Sequence, residues 1–199
     1  SGGPVIIQHA DGSSEKAKWK NVFEKGQKGI IGTPNLWEST ASVNRIFKVE
    51  GPSDLIAIVP FLRPGEGAFC NPCWASENPI NFAWVSNLIT EKNVVVIHDR
   101  DRAGVDGAIG DPAKGRLGWA TWAAQFAEAV RNVELPFPLV ESKGKDIRDW
   151  VVGGGTREQL EALIDLGDSI EKQILTVIED GADPHYLARI NLANYSAQH

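Results

Sequence analysis

Short runs of apolar residues in the middle of the chain have the length and spacing of buried strands. Arg45–Val49 alternates apolar and polar residues and is followed by Gly51 and Pro52, which end a strand. Residues 93–98 contain the uninterrupted run Val-Val-Val-Ile, which is typical of a strand buried on both faces. Residues 137–140 and residues 29–32 are shorter strand candidates. The pattern therefore predicts a sheet of short, largely buried strands.

Apolar residues at helical spacing separate these strand candidates. Ser53 is expected to cap a helix that follows the first buried strand directly. Residues 117–130 predict a second helix, because their apolar residues recur near helical spacing. Residues 63–83 are rich in Pro, Gly and Asn and are expected to form a long loop insertion. The order strand, helix, strand, helix, strand indicates an α/β fold with a mostly parallel sheet.

The last quarter of the chain is predicted to be helical. Thr156 and Gln159 form a capping box ahead of an apolar helix face. Residues 170–178 predict a second amphipathic helix, and Asp183 followed by a proline predicts the start of a third. Residues 151–199 carry a net charge of -5, which is most of the chain's total of -6. We therefore expect three regions: an N-terminal segment, irregular apart from possible short strands (1–40), a catalytic α/β core (41–152), and an acidic helical appendage (153–199).

The composition is that of a globular protein and excludes several other classes. The 199 residues are 42% apolar and 23% charged, which excludes a disordered acidic polymer and a collagen-like repeat. No apolar run approaches the roughly 20 residues of a membrane-spanning helix, so no membrane association is expected. The negative net charge does not favour nucleic-acid binding by itself. A local basic rim around an acidic site would still be compatible with it.

Two features of residue usage concern the cell compartment and the origin of the chain. Cys70 and Cys73 are too close to join distant parts of a fold, so a reducing, cytoplasmic location is expected. They form half of a zinc site without a second pair, and two reduced thiols are the favoured interpretation. The chain begins with Ser1 and contains no Met. This indicates a piece of a larger protein, or else a modified methionine omitted from the sequence.

Three short segments contain the residues expected to carry chemistry. Residues 49–54 follow the first buried strand, residues 98–104 follow the second, and residues 144–146 follow the last short strand candidate. In an open parallel sheet, ligands bind outside the carboxyl ends of the strands, where all three segments would meet. Glu50, Asp99 and Asp101 would then converge.

Converging carboxylates repel one another unless a cation lies between them. In the extended Asp-x-Asp segment, Asp99 and Asp101 point to the same side. Carboxylate oxygens are the ligands that Mg²⁺ and Mn²⁺ prefer, usually together with waters and substrate phosphates. We therefore expect Glu50, Asp99 and Asp101 to bind Mg²⁺ or Mn²⁺. A simpler role for the three acids is to cap helices at the strand ends.

Basic residues near the same segments offer contacts for phosphate. Lys145 follows Gly144 and supplies a positive charge suited to a phosphate, although an isolated lysine is more often a surface residue. Four further cations could form a rim around the acids: Arg100, Arg102, Lys143 and Arg148. Asp54 and Asp146 each have two interpretations, as a part of the site or as an acid that stabilises local backbone.

These segments resemble the Toprim domain, which is shared by bacterial-type primases, topoisomerases, recombination mediators and some nucleases. Glu50-Gly51 with Asp54 resembles the Glu-Gly segment of that family. Residues 99–104, Asp-Arg-Asp-Arg-Ala-Gly, resemble its Asp-x-Asp segment, and Lys145-Asp146 resembles the Lys-Asp segment of the primase and primase-helicase branch. The resemblance covers about residues 41–152 and points to phage, plasmid or mobile-element proteins.

The resemblance implies roles for individual residues. Glu50 would act as general acid or base or as metal ligand, and Asp99 and Asp101 would be the metal-binding pair. The nucleotide or template phosphates would be contacted by Lys145, Asp146, Arg102 and Lys143. Asp54, Gly51 and Gly104 would support the site. The insertion at residues 63–83 and the absence of a preceding zinc ribbon depart from the primase pattern.

Three functions are compatible with these observations. The first is a primase-type nucleotidyltransferase of DNA replication that uses Mg²⁺ or Mn²⁺, nucleoside triphosphates and a single-stranded DNA template, joined to or associated with a helicase or other replication domains. The second is a metal-dependent nuclease of the same superfamily. Ala103 stands where a further Asp would favour the nuclease, and the Gly144-Lys145-Asp146 segment favours the primase. The third is a non-catalytic nucleic-acid-binding module that keeps the fold.

Overall fold

The computed structural model describes residues 29–72, 79, 84–111 and 116–170, together with the backbone of two strands nearer the N-terminus. These two strands, β1 (Val5–Gln8) and β2 (Ser14–Ala17), pair with each other in antiparallel orientation. The remaining strands are β3 (Ile31–Gly32), β4 (Arg45–Val49), β5 (Glu66–Cys70), β6 (Asn93–Ile97), β7 (Gly110–Asp111), β8 (Arg116–Leu117), β9 (Ala129–Val133) and β10 (Asp168–Ser169).

Six of these strands form one sheet in the order β10-β9-β6-β4-β5-β3. The four central strands, β9, β6, β4 and β5, are parallel to one another, whereas the two-residue edge strands β3 and β10 pair with them in antiparallel orientation. Arg45 stands beside Asn93, and Val49 beside Ile97, so the predicted strands β4 and β6 end at the same level. The predicted α/β fold with a mostly parallel sheet is confirmed.

Helices cover both faces of the sheet. They are α1 (Asn35–Glu38), α2 (Pro52–Ile58), α3 (Ser86–Ile89), α4 (Arg102–Ala108), α5 (Trp119–Ala123), α6 (Ile147–Val152) and α7 (Arg157–Leu166). Because side chains alternate along a strand, the sheet supplies two apolar surfaces and therefore two cores. Among the described residues, no helix is both long enough and apolar enough to span a membrane.

The two cores use alternate residues of the same strands. On the first face, Ile46 and Val96 pack with Trp119 and the alanines of α5. On the second face, Phe47 and Ile97 pack with helices α2, α6 and α7. The buried apolar residues from these three helices are Leu55, Ile58, Ile147, Trp150, Leu160 and Ile164. Burial of both sheet faces explains the continuous apolar runs of β4 and β6.

The structure differs from the prediction of a loop over residues 63–83. Glu66–Cys70 is the buried strand β5, paired with β4 on one side and β3 on the other. Its sequence, Glu-Gly-Ala-Phe-Cys, lacks the β-branched residues that identify most strands. Backbone hydrogen bonding to two neighbours and burial therefore decide its conformation. Most of residues 73–83 lie outside the described part of the chain.

Two further predictions differ from the structure. Residues 117–130 form a short helix and part of a strand where one long helix was expected, and residues 137–140 do not form a strand. Helix α5 ends at Ala123, and the chain then turns into strand β9 beside β6. The apolar spacing that suggested one long helix joins a helix to a buried strand. Residues 137–140 lack a strand because Pro136 and Pro138 cannot donate ladder hydrogen bonds, and only Val140 forms an isolated bridge, with Asp101.

The first residues after β4 also differ from the sequence expectation. Helix α2 begins at Pro52 with Gly51 as its N-cap, two residues earlier than a cap at Ser53 would place it. Proline is favourable in the first turn of a helix, where its missing N–H has no partner to lose. The Asp54 carboxylate accepts the hydrogen bond of the Gly51 amide at 3.0 Å, which stabilises the turn.

The described part of the C-terminal segment packs on the sheet. Thr156 and Gln159 form the predicted capping box of α7. Leu160 and Ile164 of this helix are buried in the second core, and β10 extends the sheet beyond β9. The further helices predicted from residues 171–199 lie outside the described residues, as does Cys73. The boundary between core and appendage stays a prediction.

Candidate active site

The strand order creates a crevice at the carboxyl ends of β4 and β6. The chain passes from β4 to β5 on one side and then returns to place β6 on the other side of β4. Connections therefore leave the β4–β6 boundary in opposite directions, which opens the kind of crevice where ligands bind in α/β proteins. Glu50 directly follows β4, and Asp99 follows β6 by two residues.

Three carboxylates meet at this crevice. One oxygen from each of Asp54, Asp99 and Asp146 lies within 4.8 Å of the others. Asp54 belongs to the first turn of α2, and Asp146 is the N-cap of α6. We call these three residues the acidic cluster. Because they come from three separate segments, only the tertiary fold brings them together.

Asp54 is a buried member of the acidic cluster, and one of its two carboxylate oxygens lacks a hydrogen-bond partner. Only 5% of the residue is exposed. Its Oδ2 atom accepts the Gly51 amide, but its buried Oδ1 atom has no hydrogen-bond partner. The nearest described cation is Arg148, whose Nε lies 3.6 Å from Oδ1. Burial raises the pKa of Asp54 to about 6.

Asp146 is held by the helix that it caps and by one arginine. Its Oδ1 atom accepts the Asp149 amide at 2.9 Å, while its Oδ2 atom accepts hydrogen bonds from the Arg148 guanidinium. In return, the Asp149 carboxylate accepts the Asp146 amide at 3.2 Å. This reciprocal capping box fixes the position of the Asp146 carboxylate beside Asp54.

Asp99 has the most strongly perturbed carboxyl group of the acidic cluster. Burial first, and then charge repulsion from the neighbouring Glu50, Asp54 and Asp146, raises its pKa to about 8. A proton on Asp99 therefore relieves the repulsion at neutral pH. A divalent cation would relieve it more completely, because it can neutralise several carboxylates together.

Glu50 lies beside the acidic cluster and contacts the backbone of its central member. Its Oε2 atom accepts the Asp99 amide at 3.2 Å. The side chain keeps 19% of its surface exposed, so it is accessible from the crevice. Burial is the main cause that raises the pKa of Glu50 to about 6, which suits a group that must accept and release a proton near neutral pH.

Asp101 is placed differently from the other predicted metal ligands. Its Oδ1 atom accepts the Gly104 amide and caps helix α4, while its Oδ2 atom accepts the Gly144 amide, both at 2.9 Å. The structure thus brings Asp99 together with Asp54 and Asp146, while Asp101 bridges two loops. A metal-binding role for Glu50 and Asp101 remains a prediction.

Close packing of backbone holds these loops together. A Cβ atom on Gly104 would lie 2.2 Å from the carbonyl oxygen of Asp99, and a Cβ atom on Gly144 would lie 2.6 Å from the Asp101 nitrogen. The Arg100 amide donates to the Lys145 carbonyl at 2.9 Å. The segment 144–146 therefore packs directly on the segment 98–104, so that Asp146 lies next to Asp99.

A buried Lys–His pair lies beneath Glu50, and sequence reasoning missed the lysine. Lys48 is fully buried, with its Nζ 2.8 Å from Nε2 of His98 and 5.0 Å from the centre of the Trp119 ring. The Nδ1 atom of His98 donates to the Gly104 carbonyl at 3.2 Å. Burial lowers the pKa of Lys48 to about 7 and holds the pKa of His98 well below its ordinary value.

The sequence did contain a signal for Lys48. It occupies an inward-facing position of a strand whose other alternate residue, Ile46, is part of the core. A lysine at such a position requires a polar partner. His98, directly after the neighbouring strand β6, is that partner.

The predicted basic rim divides into paired and exposed residues. Lys145 donates to Asp149 at 2.8 Å, and Arg102 forms an ion pair with Asp106 at 3.2 Å. Both side chains remain largely exposed, Lys145 at 60% and Arg102 at 62%. Lys143 is exposed, and Arg148 contacts the acidic cluster itself.

Comparison with solved structures finds a likeness to a known protein. A structure described as the DnaG catalytic core is 19% identical, with a TM-score of 0.47, and the likeness covers 84% of this chain and 53% of that one. The chain therefore spans about half the length of that core. No protein-family model matches the sequence, and no curated protein matches it. The chain is an α/β protein whose mostly parallel sheet carries a cluster of carboxylates at its carboxyl edge.

Proposed function

We propose that this protein is a metal-dependent nucleotidyltransferase of the primase type, built on a Toprim-like domain of the primase and primase-helicase branch. It would join ribonucleotides into primers on a single-stranded DNA template, using Mg²⁺ or Mn²⁺. The observation that supports this proposal best is the acidic cluster at the β4–β6 crevice, with Glu50 beside it.

The residues of the acidic cluster fit a divalent cation. Asp54 offers a buried oxygen without a hydrogen-bond partner, and Asp99 and Asp146 each place an oxygen within 4.8 Å of it. Oxygen-rich sites of this kind suit Mg²⁺ and Mn²⁺. Such a cation would supply binding of the triphosphate and neutralisation of the charge that develops during displacement.

The chain's own residues would position the reactants. Glu50 would take the proton from the attacking hydroxyl, since its carboxyl is accessible and its pKa of about 6 is near neutral pH. Lys145, Arg102 and Lys143 would contact phosphates of the nucleotide or the template from the solvent side. Asp101, Gly104 and Gly144 would maintain the loop geometry that holds Asp99 and Asp146 together.

A nuclease of the same superfamily is the second candidate, because the same carboxylates could promote phosphodiester cleavage. A non-catalytic nucleic-acid-binding module is the third. An associated helicase or other replication domain and a cytoplasmic location also remain predictions. Incubation with nucleoside triphosphates and single-stranded DNA distinguishes the three candidates. A primase would make new primers, a nuclease would shorten the DNA, and a non-catalytic binding module would leave the DNA unchanged.

Titration of the protein with Mn²⁺ by calorimetry, alongside that primer assay, tests the proposal. We expect the wild-type chain to bind Mn²⁺ and the Asp99→Asn variant to lose at least about tenfold in affinity, because a charged ligand is removed. Glu141→Gln is the matched control, since it removes an exposed carboxylate elsewhere. Equal Mn²⁺ affinity of the wild type and the Asp99→Asn variant would show that the acidic cluster is not the metal site, and would contradict the proposal.

A further inference from the structure

A buried pair of polar side chains lies beneath the candidate active site, and the proposed chemistry does not use it. Lys48 of β4 is fully buried, and His98, which directly follows β6, is 5% exposed. The Lys48 Nζ atom lies 2.8 Å from Nε2 of His98, and Nδ1 of His98 lies 3.2 Å from the carbonyl oxygen of Gly104. We call these three residues the Lys–His–Gly chain. It joins β4 and β6 to the first turn of α4.

The acceptor at Gly104 decides which nitrogen of His98 carries a proton. A carbonyl oxygen only accepts hydrogen bonds, so Nδ1 of His98 must be protonated to bind it. A neutral imidazole then presents a lone pair at Nε2, and the Lys48 amine donates to this lone pair. The Lys48 donor disfavours a proton on Nε2 and thereby favours the proton on Nδ1. The His98 ring is therefore held at both nitrogens in one orientation.

Gly104, the last member of the Lys–His–Gly chain, is clamped against Asp99. Its carbonyl accepts from His98, and its amide donates to Oδ1 of Asp101 at 2.9 Å. A Cβ atom on Gly104 would lie 2.2 Å from the Asp99 carbonyl oxygen, so its α-carbon packs directly on the Asp99 backbone. His98 also directly precedes Asp99 in the sequence. A shift of the His98 ring or of Gly104 would therefore move the Asp99 carboxylate within the acidic cluster.

Packing alone does not explain the buried pair. Lys48 shares its sheet face with Ile46, and its Nζ lies 5.0 Å from the centre of the Trp119 ring in the first core. An apolar side chain would suit these surroundings, and replacing a buried polar pair by apolar residues is often neutral or stabilising. Burying an amine and an imidazole costs free energy instead. This cost indicates a role in the neighbouring site.

We propose that His98 is a positioning residue for the acidic cluster, and that Lys48 favours the tautomer in which His98 can act. His98 holds the Gly104 carbonyl, and the first turn of α4 then holds Asp99 where its carboxylate can share a divalent cation with the other two members of the cluster. Both residues act through the backbone, and neither binds the cation itself. This inference rests on the proposed function and deepens it, because it names the residues that support the metal site.

Two substitutions of His98 in the full chain separate its two contacts. In His98→Asn, the side-chain nitrogen takes about the place of Nδ1 and can donate to Gly104, but the side chain is too short to reach Lys48. In His98→Gln, the longer side chain can offer its carbonyl oxygen to Lys48 near the place of Nε2, and the Gly104 carbonyl loses its donor. Each variant thus keeps the contact that the other removes.

A double variant, Lys48→Met with His98→Asn, removes the amine that His98→Asn leaves unpaired. It keeps the test valid if the single variant folds poorly. Lys92→Met is the matched control for the lysine substitution, because Lys92 directly precedes β6 and so lies at the opposite edge of the sheet from the acidic cluster. Mn²⁺ calorimetry measures the metal site, and denaturant unfolding of the metal-free proteins measures stability.

We expect His98→Gln to bind Mn²⁺ roughly tenfold more weakly than the wild type, as is typical when a partner behind a metal ligand is removed. His98→Asn and the double variant should stay within about threefold of the wild type, because the Gly104 contact is kept. His98→Asn should nevertheless unfold at a lower denaturant concentration than His98→Gln, since the buried Lys48 amine lacks a partner. A merely structural role predicts the opposite, that the less stable variant binds Mn²⁺ more weakly.

Long-range proton–nitrogen NMR spectra of the metal-free wild type report which His98 nitrogen is protonated, and His98→Asn identifies the signals by their absence. We expect the proton on Nδ1. A proton on Nε2 would overturn the inference, as would a His98→Asn variant that binds Mn²⁺ no better than His98→Gln, and both results leave the proposed function standing. Absence of Mn²⁺ binding by the wild type would overturn the proposed function, and this inference with it.

Discussion

At the scale of single residues, the raised pKa of Asp99 links the stability of the protein to pH. The folded state holds a proton on Asp99 up to about pH 8, while the unfolded chain releases it near the ordinary value of 3.8. The folded state therefore binds more protons between these values, and this contribution to stability is lost as pH rises through the folded pKa. Mn²⁺ would compensate the loss by neutralising the carboxylates.

The Asp99→Asn variant isolates this effect, because the other titrating groups remain in both proteins. Without divalent metal, we expect the variant to gain stability over the wild type as pH rises from 5 to 8, on the order of 1–3 kcal/mol after allowance for solvent screening. Denaturant unfolding in EDTA at several pH values measures the difference. A difference that does not change with pH would contradict the assignment of the proton to Asp99.

Glu50→Gln tests the role of Glu50 because it keeps the volume and removes the ability to take a proton. If Glu50 acts as general base or metal ligand, the variant should melt like the wild type and lose roughly 10²-fold or more of the primer-synthesis rate. Primer assays beside melting curves separate this outcome from a structural role. A stable Glu50→Gln protein with full activity would leave the binding-module function as the better description.

At the scale of secondary-structure elements, two tight contacts position the acidic cluster. The turn into α4 packs on Asp99, and the turn before α6 packs on Asp101, in each case through a glycine. The helices themselves are short, with seven residues in α4 and six in α6. Their own propensity contributes little at that length, so capping by Asp101 and Asp146 and tertiary packing must determine where they begin.

Gly104→Ala should destabilise the protein by about 2–3 kcal/mol, because its Cβ would lie 2.2 Å from the Asp99 carbonyl oxygen and the backbone must move. The same displacement should weaken Mn²⁺ binding. Gly29→Ala is the control, since no atom lies within 4 Å of its Cβ position. Urea unfolding and Mn²⁺ titration measure both effects, and equal behaviour of the two variants would argue against the tight turn.

At the scale of the whole molecule, an ion network joins α7 to the edge of the sheet opposite the site. Arg157 donates to both carboxylate oxygens of Glu66 and also contacts Glu161 of its own helix. Arg45 of β4 contacts the same two glutamates. The side chains of Arg157 and Glu66 are only 11% and 9% exposed. The network and the apolar face of α7 make this helix a part of the core.

Arg157→Ala should lower the free energy of unfolding by roughly 2–4 kcal/mol, because Glu66 would remain buried without its bidentate partner. Arg63→Ala should change it by less than about 0.5 kcal/mol, since Arg63 is 53% exposed and lies 3.5 Å from Glu161. Thermal and denaturant unfolding compare the two. Similar stabilities of the two variants would indicate that α7 is a dispensable appendage.

Features that depend on local pattern were predictable from the amino-acid sequence. The strands β4 and β6 were predictable because two-sided burial leaves continuous apolar runs, and the cap of α7 because Thr156 and Gln159 satisfy backbone groups nearby. The placement of Glu50 and Asp99 at the crevice follows from parallel strands that end at the same level. Two other features depend on contacts between distant parts of the chain.

Strand β5 depends on hydrogen bonds to β4 and β3, which are separated from it in the sequence. Its own residues have little preference for the strand conformation. The grouping of Asp99 with Asp54 and Asp146 depends on how α2 and α6 pack on the sheet, so spacing within the Asp-x-Asp segment could not reveal it. In each case the decisive contacts are non-local, because a folded chain satisfies its backbone and buries its charges by bringing distant segments together.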